Sequence, residues 1–352
     1  QEAVSDFPDR QWANAFKEIA GATAQVPNPY TFANLYDRRT PYILQYLFNV
    51  QREFGQNMAL EVGYLGSVSR KLESLRAVNE SLPGAVGSVI SRAPYPTFGR
   101  IQLVDNGGRG NYNSLGVKLT KKYSNGLSAL LSYTFAKSID ETSGIRVNDG
   151  DTLFPQNSYC MRCERGLSTF DTRHRASASV LYDLPVGKGR KMEVANPVLN
   201  AIVGDWQIGN IFTLSTGFPL TVVSGSDRSN TGAGFDRPNY NVGVDPNMAN
   251  HDPTRWFNPA AYTVQAFGTF GNVGRNTLIS PSIFGWDFSS LKNFNLPKDG
   301  HTLQFRFEAF NFPNHPNWGN PDTNAGNPNN FGVIGGTRGN MRNLQLALKY
   351  IF

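Results

Sequence analysis

Residues 343–352 read NLQLALKYIF. Leu344, Leu346, Leu348, Tyr350 and Phe352 occupy every second position, with Gln345, Ala347 and Lys349 between them. Side chains of a β-strand point alternately to opposite faces, so this stretch makes a strand with one apolar face and one mixed face. The same period recurs upstream. In 302–310, Leu303, Phe305, Phe307 and Ala309 oppose Gln304, Arg306 and Glu308. In 127–136, Leu127, Ala129, Leu131, Tyr133 and Phe135 oppose Ser128, Ser132 and Thr134. In 175–182, Ala176, Ala178, Val180 and Tyr182 oppose Arg175, Ser177 and Ser179. Further strands are expected at about 42–53, 58–67, 112–122, 205–216 and 285–295, which makes about nine in all.

The connectors are as informative as the strands. Gly55-Gln56-Asn57, Ser124-Asn125-Gly126 and Pro297-Lys298-Asp299-Gly300 are tight turns, and Asn-Gly suits the positive φ of a two-residue hairpin. The alternate connectors are long, at about 69–110, 140–170, 217–284 and 313–340, and 185–203 is intermediate. Structureless loops of that length are uncommon in a compact soluble domain. Short turns at one rim, long loops at the other and strands of ~10 residues are the pattern of outer-membrane barrels, whose short turns are periplasmic. The physical cause is the bilayer. Backbone polar groups there find no water, so strands pair into a closed sheet. One face meets hydrocarbon and the other a wet lumen. The expected fold is all-β, an antiparallel transmembrane β-barrel in the bacterial outer membrane, with membrane lipid against its apolar face.

Composition narrows the choice further. The chain has 352 residues, 17% charged and 12% aromatic, with 35 Gly, 35 Asn and a mean hydropathy of −0.37. No apolar run approaches the ~18 residues of a spanning helix. The 33 Lys and Arg are interleaved with 27 Asp and Glu, so the net charge of +6 does not form the one-sided basic face of a nucleic-acid partner. Nine strands is an odd number, whereas bacterial single-chain barrels are even. Residues 1–40 show no alternation, and Pro27 and Pro29 suit a loop. They are expected to form an extracellular N-terminal loop region, with barrel strands over 41–352. The expectation is therefore the C-terminal part of a larger barrel, a fragment or one half of a split gene.

The alternation ending on Phe352 resembles the C-terminal assembly signal of outer-membrane proteins, which implies the barrel-assembly machinery as a partner. The wider text resembles the C-terminal barrel of Oar-like TonB-dependent transporters, which often carry an N-terminal carboxypeptidase-regulatory-like domain. The resemblance rests on the order and spacing of several segments across 41–352. They are Asn49-Val50-Gln51-Arg52 with Leu60-Glu61-Val62-Gly63-Tyr64, Leu131 through Lys137, Glu164-Arg165-Gly166 with Phe170 through Arg175, Leu184 through Gly189, Gly204-Asp205-Trp206-Gln207, and Phe307 through Asn311. It implies a 22-stranded barrel, a plug domain and import powered by TonB, neither plug nor TonB box being legible in this stretch. The function implied is energised uptake of a large or scarce nutrient such as a siderophore, glycan or peptide. The alternatives are a surface binding or adhesion barrel and a passive porin.

Three groups of side chains stand out. Asp171, Arg173 and Arg175 share a parity opposite Ala176 and Ala178, and so point to the lumen near the outer rim. With Gln304, Arg306 and Glu308 they are read as a lumen-facing polar network that braces the wall or steers anionic substrate. Cys160-Met161-Arg162-Cys163 lies in an external loop. A zinc site lacks further ligands, and an oxidising compartment favours a local disulfide over a redox pair. No paired carboxylates or nucleophile context suggest an enzyme, and no cofactor motif is present.

Overall fold

The computed structural model describes residues 31–144, 154–297 and 300–352. Most of the expected N-terminal loop region, part of the 140–170 loop, and Lys298 and Asp299 of one tight turn lie outside the described residues. In chain order the strands are β1 (Thr31–Asn34), β2 (Tyr42–Phe54), β3 (Met58–Ala77), β4 (Ile101–Ser124), β5 (Leu127–Asp140), β6 (Gly166–Leu167), β7 (His174–Asp183) and β8 (Trp206–Ser215). They continue with β9 (Pro219–Leu220), β10 (Asn239–Tyr240), β11 (Tyr262–Thr263), β12 (Leu278–Ile279), β13 (Ile283–Asn295), β14 (Thr302–Phe310) and β15 (Asn343–Ile351). Two short helices, α1 (Val89–Arg92) and α2 (Pro197–Val203), lie in connectors.

The nine long strands form one antiparallel meander in the order β15-β14-β13-β8-β7-β5-β4-β3-β2. Each expected strand is found in its expected place. β2 and β15 are the two edges and do not meet, so the barrel is not closed. The register aligns the faces as a barrel requires. Leu344, Leu346, Leu348 and Tyr350 stand opposite Ala309, Phe307, Phe305 and Leu303. The same face continues through Phe288, Trp286 and Phe284, then Phe212 and Leu214, then Ala176 and Ala178, and on to Leu131 and Tyr133. It ends on Val117 and Leu119, Val62 and Leu60, and Val50 and Phe48. Leu346 is 69% and Leu348 67% exposed. A soluble protein would bury such a band at ~25 cal/mol per Å² of apolar surface. Here the bilayer covers it.

Two parts of the chain differ from expectation. β3 has 20 residues and β4 has 24, so much of the stretch expected as a 69–110 loop is strand. A spanning strand needs only ~9–11 residues. The remainder of this hairpin stands beyond the membrane. There the sequence has no hydrocarbon-facing side to maintain, and the alternation lapses. The register also shifts between Ser69 and Ser74, where Lys71 adopts φ 56°. Residues 31–34, expected as loop, form β1, which pairs in parallel with Ile101–Val104 at the far end of β4.

The long connectors pack together at this rim, which is extracellular in such barrels. The 217–284 connector contains the β9–β12 and β10–β11 ladders and has its own core. Leu220, Val222, Phe257, Ala261, Tyr262, Val273 and Leu278 are buried together with Phe331 from the 313–340 connector. A smaller cluster joins Leu75, Ala77, Val104 and Phe154. Beyond the pairs Leu220/Val222 and Leu75/Ala77, these apolar side chains come from distant stretches rich in Gly, Asn and Pro, so no sustained strand period marked them.

Candidate functional site

The polar face of the sheet makes the lumen wall. Its side chains sit on the parity opposite the lipid band, and several are joined across strands. The Asn49 amide donates to Glu61 at 2.7 Å, and Lys118 lies 3.8 Å from the same carboxylate. The Ser132 and Ser177 hydroxyls are 2.7 Å apart. Gln304 donates to Asn293 at 3.0 Å, Arg306 donates to Gln304 at 3.4 Å, and Arg306 lies 3.6 Å from Glu308. Gln304, Arg306 and Glu308 therefore touch one another on one face of β14. Arg175 occupies the polar face of β7 beside Thr134 and Ser215 and makes no ion pair among the described residues. β8 and β13 separate β7 from β14, so the structure does not bring the two groups together.

Asp171 and Arg173 lie together as an ion pair. They precede β7, in the corner where the loop enters the strand. The Asp171 carboxylate is buried and accepts the Ser138 backbone N–H at 2.5 Å, while its own N–H donates to Ser168. The Arg173 guanidinium turns back, 3.7 Å from Asp171 and 5.9 Å from the centre of the Phe135 ring. An aspartate three residues before the start of a strand competes for nearby backbone donors, and here it closes on the neighbouring end of β5. The pair braces the corner where the loop joins the wall.

Above the wall the loop layer is held by buried ion pairs. Arg237 meets Glu164 in a two-pronged contact of 2.5 and 3.0 Å, and its Nε donates to the Val273 carbonyl at 2.8 Å. Arg275 pairs with Asp140 at the end of β5 and donates to the Glu164 carbonyl at 2.9 Å. All four side chains are nearly inaccessible. They join the 154–170 segment, the 217–284 connector and the barrel wall. Sequence reading did not select them, because each pair spans a long separation with no local pattern.

Cys160 and Cys163 are joined in a disulfide, with Cα atoms 5.4 Å apart. They open onto a cleft of about 330 Å³ lined by Arg76, Arg109, Arg162, Glu141 and Tyr159. Arg76 is already held by Asp105 at 2.5 Å. Arg109 and Arg162 also line the cleft.

Glu80 lies just beyond β3, where it accepts the Ser158 N–H at 3.2 Å and the Ser158 hydroxyl at 2.9 Å. Burial pushes its carboxyl up to about 7, against the opposing pull of those bonds and of Arg100. Burial also raises Asp236, on which the Ser229 N–H donates at 2.5 Å. A raised carboxyl binds its proton more tightly in the folded state. Its contribution to stability is thus complete below the unfolded value near 4.5 and is lost as pH rises through about 7. At ~1.36 kcal/mol per unit this is on the order of 3 kcal/mol. The loop layer is expected to melt at lower temperature at pH 8 than at pH 5.5. Glu80→Gln is expected to flatten that dependence in thermal scans of the detergent-solubilised protein, and an unchanged slope would exclude Glu80 as its source.

Comparison with known proteins places this arrangement. No curated protein matches the chain. The structure resembles the outer membrane transporter YddB from Escherichia coli at TM-score 0.49 and 12% identity, over 92% of this chain and 34% of that one. It also resembles BauA, the ferric preacinetobactin receptor from Acinetobacter baumannii, at TM-score 0.40 and 10% identity, over 88% of this chain and 29% of that one. The chain thus spans about a third of the length of these structures. A family model described as "Outer membrane beta barrel domain" matches residues 2–345. With its lipid-facing apolar band, polar wall and long-loop rim, the chain belongs to the outer membrane β-barrel domain family.

Proposed function

We propose that this chain is the C-terminal barrel portion of an Oar-like, TonB-dependent receptor. The complete protein, with its plug and carboxypeptidase-regulatory-like domain, would import a large or scarce nutrient such as a siderophore, glycan or peptide. The observation that supports this reading is the open sheet. Nine strands present a continuous polar wall and a continuous lipid band, and neither edge strand has a partner among the described residues. An unpaired edge in a bilayer is costly, so β2 and β15 call for further strands. Barrels of about 22 strands have a lumen wide enough to hold a plug.

In this reading the loop layer captures the ligand, the plug closes the lumen and TonB supplies energy. The barrel-assembly machinery receives β15. The activity is transport, not catalysis, and requires no cofactor from this portion. The test uses the complete protein. In planar bilayers it is expected to pass little current, and in cells it is expected to cross-link to TonB through a photoreactive residue upstream of the plug. A large steady conductance without a TonB cross-link would replace the reading with a passive porin. A closed lumen without a TonB cross-link would replace it with surface binding.

A further inference from the structure

We propose that α2 is an interfacial anchor, seated in the periplasmic leaflet, whose neighbours Lys188 and Lys191 bind phospholipid headgroups. The inference rests on the outer-membrane placement of the family and on the short connectors being periplasmic. α2 lies in the connector between β7 and β8, at the same rim as the tight turns. It is well formed for its length. The Asn196 side chain accepts the N–H groups of Val198 at 2.9 Å and Leu199 at 3.1 Å, Pro197 opens the first turn, and the Gly204 N–H closes on Asn200.

The helix is fastened to the lipid face rather than to the lumen. Lys292 of β13 stands opposite Trp206 and Phe305, and so shares the outward face. A lysine there is costly unless paired. Lys292 is only 3% exposed, and its ammonium donates to the carbonyls of Asn200 at 3.2 Å and Gly204 at 2.5 Å. Asn200 lies in the last turn of α2 and Gly204 caps it, at the partially negative end of the helix. The Trp206 indole donates to Ile202 at 2.8 Å from the same face. The helix is therefore clamped against the barrel exterior by one cation and one indole.

Its remaining surface is apolar and bare. Val198 is 72%, Leu199 50% and Ile202 63% exposed. That surface continues the lipid band and needs no other partner. Lys188 and Lys191 are exposed in the same connector and form no ion pair among the described residues, whereas Arg190 is engaged by Asp205 at 3.2 Å. The Lys188 N–H donates to the Asn200 side chain at 2.9 Å, which sets that lysine beside the helix. A short apolar helix flanked by lysines is the chemistry of a segment lying in the interface with its cations on phosphates.

The experiment places a nitroxide on Val198→Cys or Ile202→Cys in the complete protein, in vesicles of phosphatidylethanolamine and phosphatidylglycerol. Leu346→Cys serves as the lipid reference and Glu193→Cys as the aqueous one. At 198 and 202, accessibility to oxygen is expected to exceed accessibility to a water-soluble nickel chelate, as at 346. Nickel access matching position 193, or shielding from both reagents, would overturn the anchor. Phosphatidylglycerol retained in native mass spectra is expected to fall about fivefold for each lysine removed in Lys188→Gln and Lys191→Gln. Unchanged retention would overturn the headgroup contact. Neither readout depends on transport, so each fails independently of the proposed function.

Discussion

Replacing Arg237 by alanine is expected to destabilise the extracellular loop layer by about 3–5 kcal/mol, the usual cost of leaving one charge of a buried pair alone. The Glu164 carboxylate would lose both its guanidinium contacts, at 2.5 and 3.0 Å, in a site with almost no solvent access. The Val273 carbonyl would lose its donor as well. Removing both charges, with Arg237→Met and Glu164→Gln together, is expected to cost clearly less than the single change. Hydrogen exchange of the 154–170 and 217–284 segments in the detergent-solubilised protein measures the effect. Heat-modifiable gel mobility reports separately that the barrel itself remains folded. Equal losses for the single and double variants would show that the pair's packing, not its charge, holds the layer.

Phe257→Ala is the second large effect, at about 3–5 kcal/mol for the lost transfer energy and the cavity left behind. Phe257 is 2% exposed and packs edge-on to Phe331 at 4.9 Å and Tyr262 at 5.9 Å. Phe331 comes from a different connector, so the cavity would loosen the joint between two loops. Faster proteolysis of both the 217–284 and 313–340 connectors is the expected outcome. Cleavage confined to the first would mean that the joint survives by repacking. Phe257→Leu keeps much of the volume and is expected to cost under ~1.5 kcal/mol.

The parts of the structure that met the membrane were the most legible. Hydrocarbon on one side and water on the other enforce a period of two with little tolerance. Leu344 to Phe352, Leu303 to Ala309 and Leu127 to Phe135 therefore announced both strand and face. The Cys160–Cys163 bond was also legible, because a separation of three residues makes it a local event. Legibility failed where that constraint stops. The far halves of β3 and β4 continue as strands by pairing with each other, and pairing leaves no one-dimensional pattern. The closure of the Asp171 carboxylate on the Ser138 N–H likewise leaves no periodic pattern in the sequence.

Alternation along the chain was enough to assign the solvent that each strand face meets, and with it the all-β membrane architecture and the order of its strands. How the loops close was settled by contacts between distant segments. Glu164 finds Arg237 across 73 positions and Asp140 finds Arg275 across 135. Lys292, on the lipid-facing side of its strand, is satisfied by the carbonyls of Asn200 and Gly204 at the end of α2. Buried charges are satisfied by whichever partner the folded chain brings near, and such partners need not be neighbours in sequence. Strand faces answer to the bilayer one residue at a time.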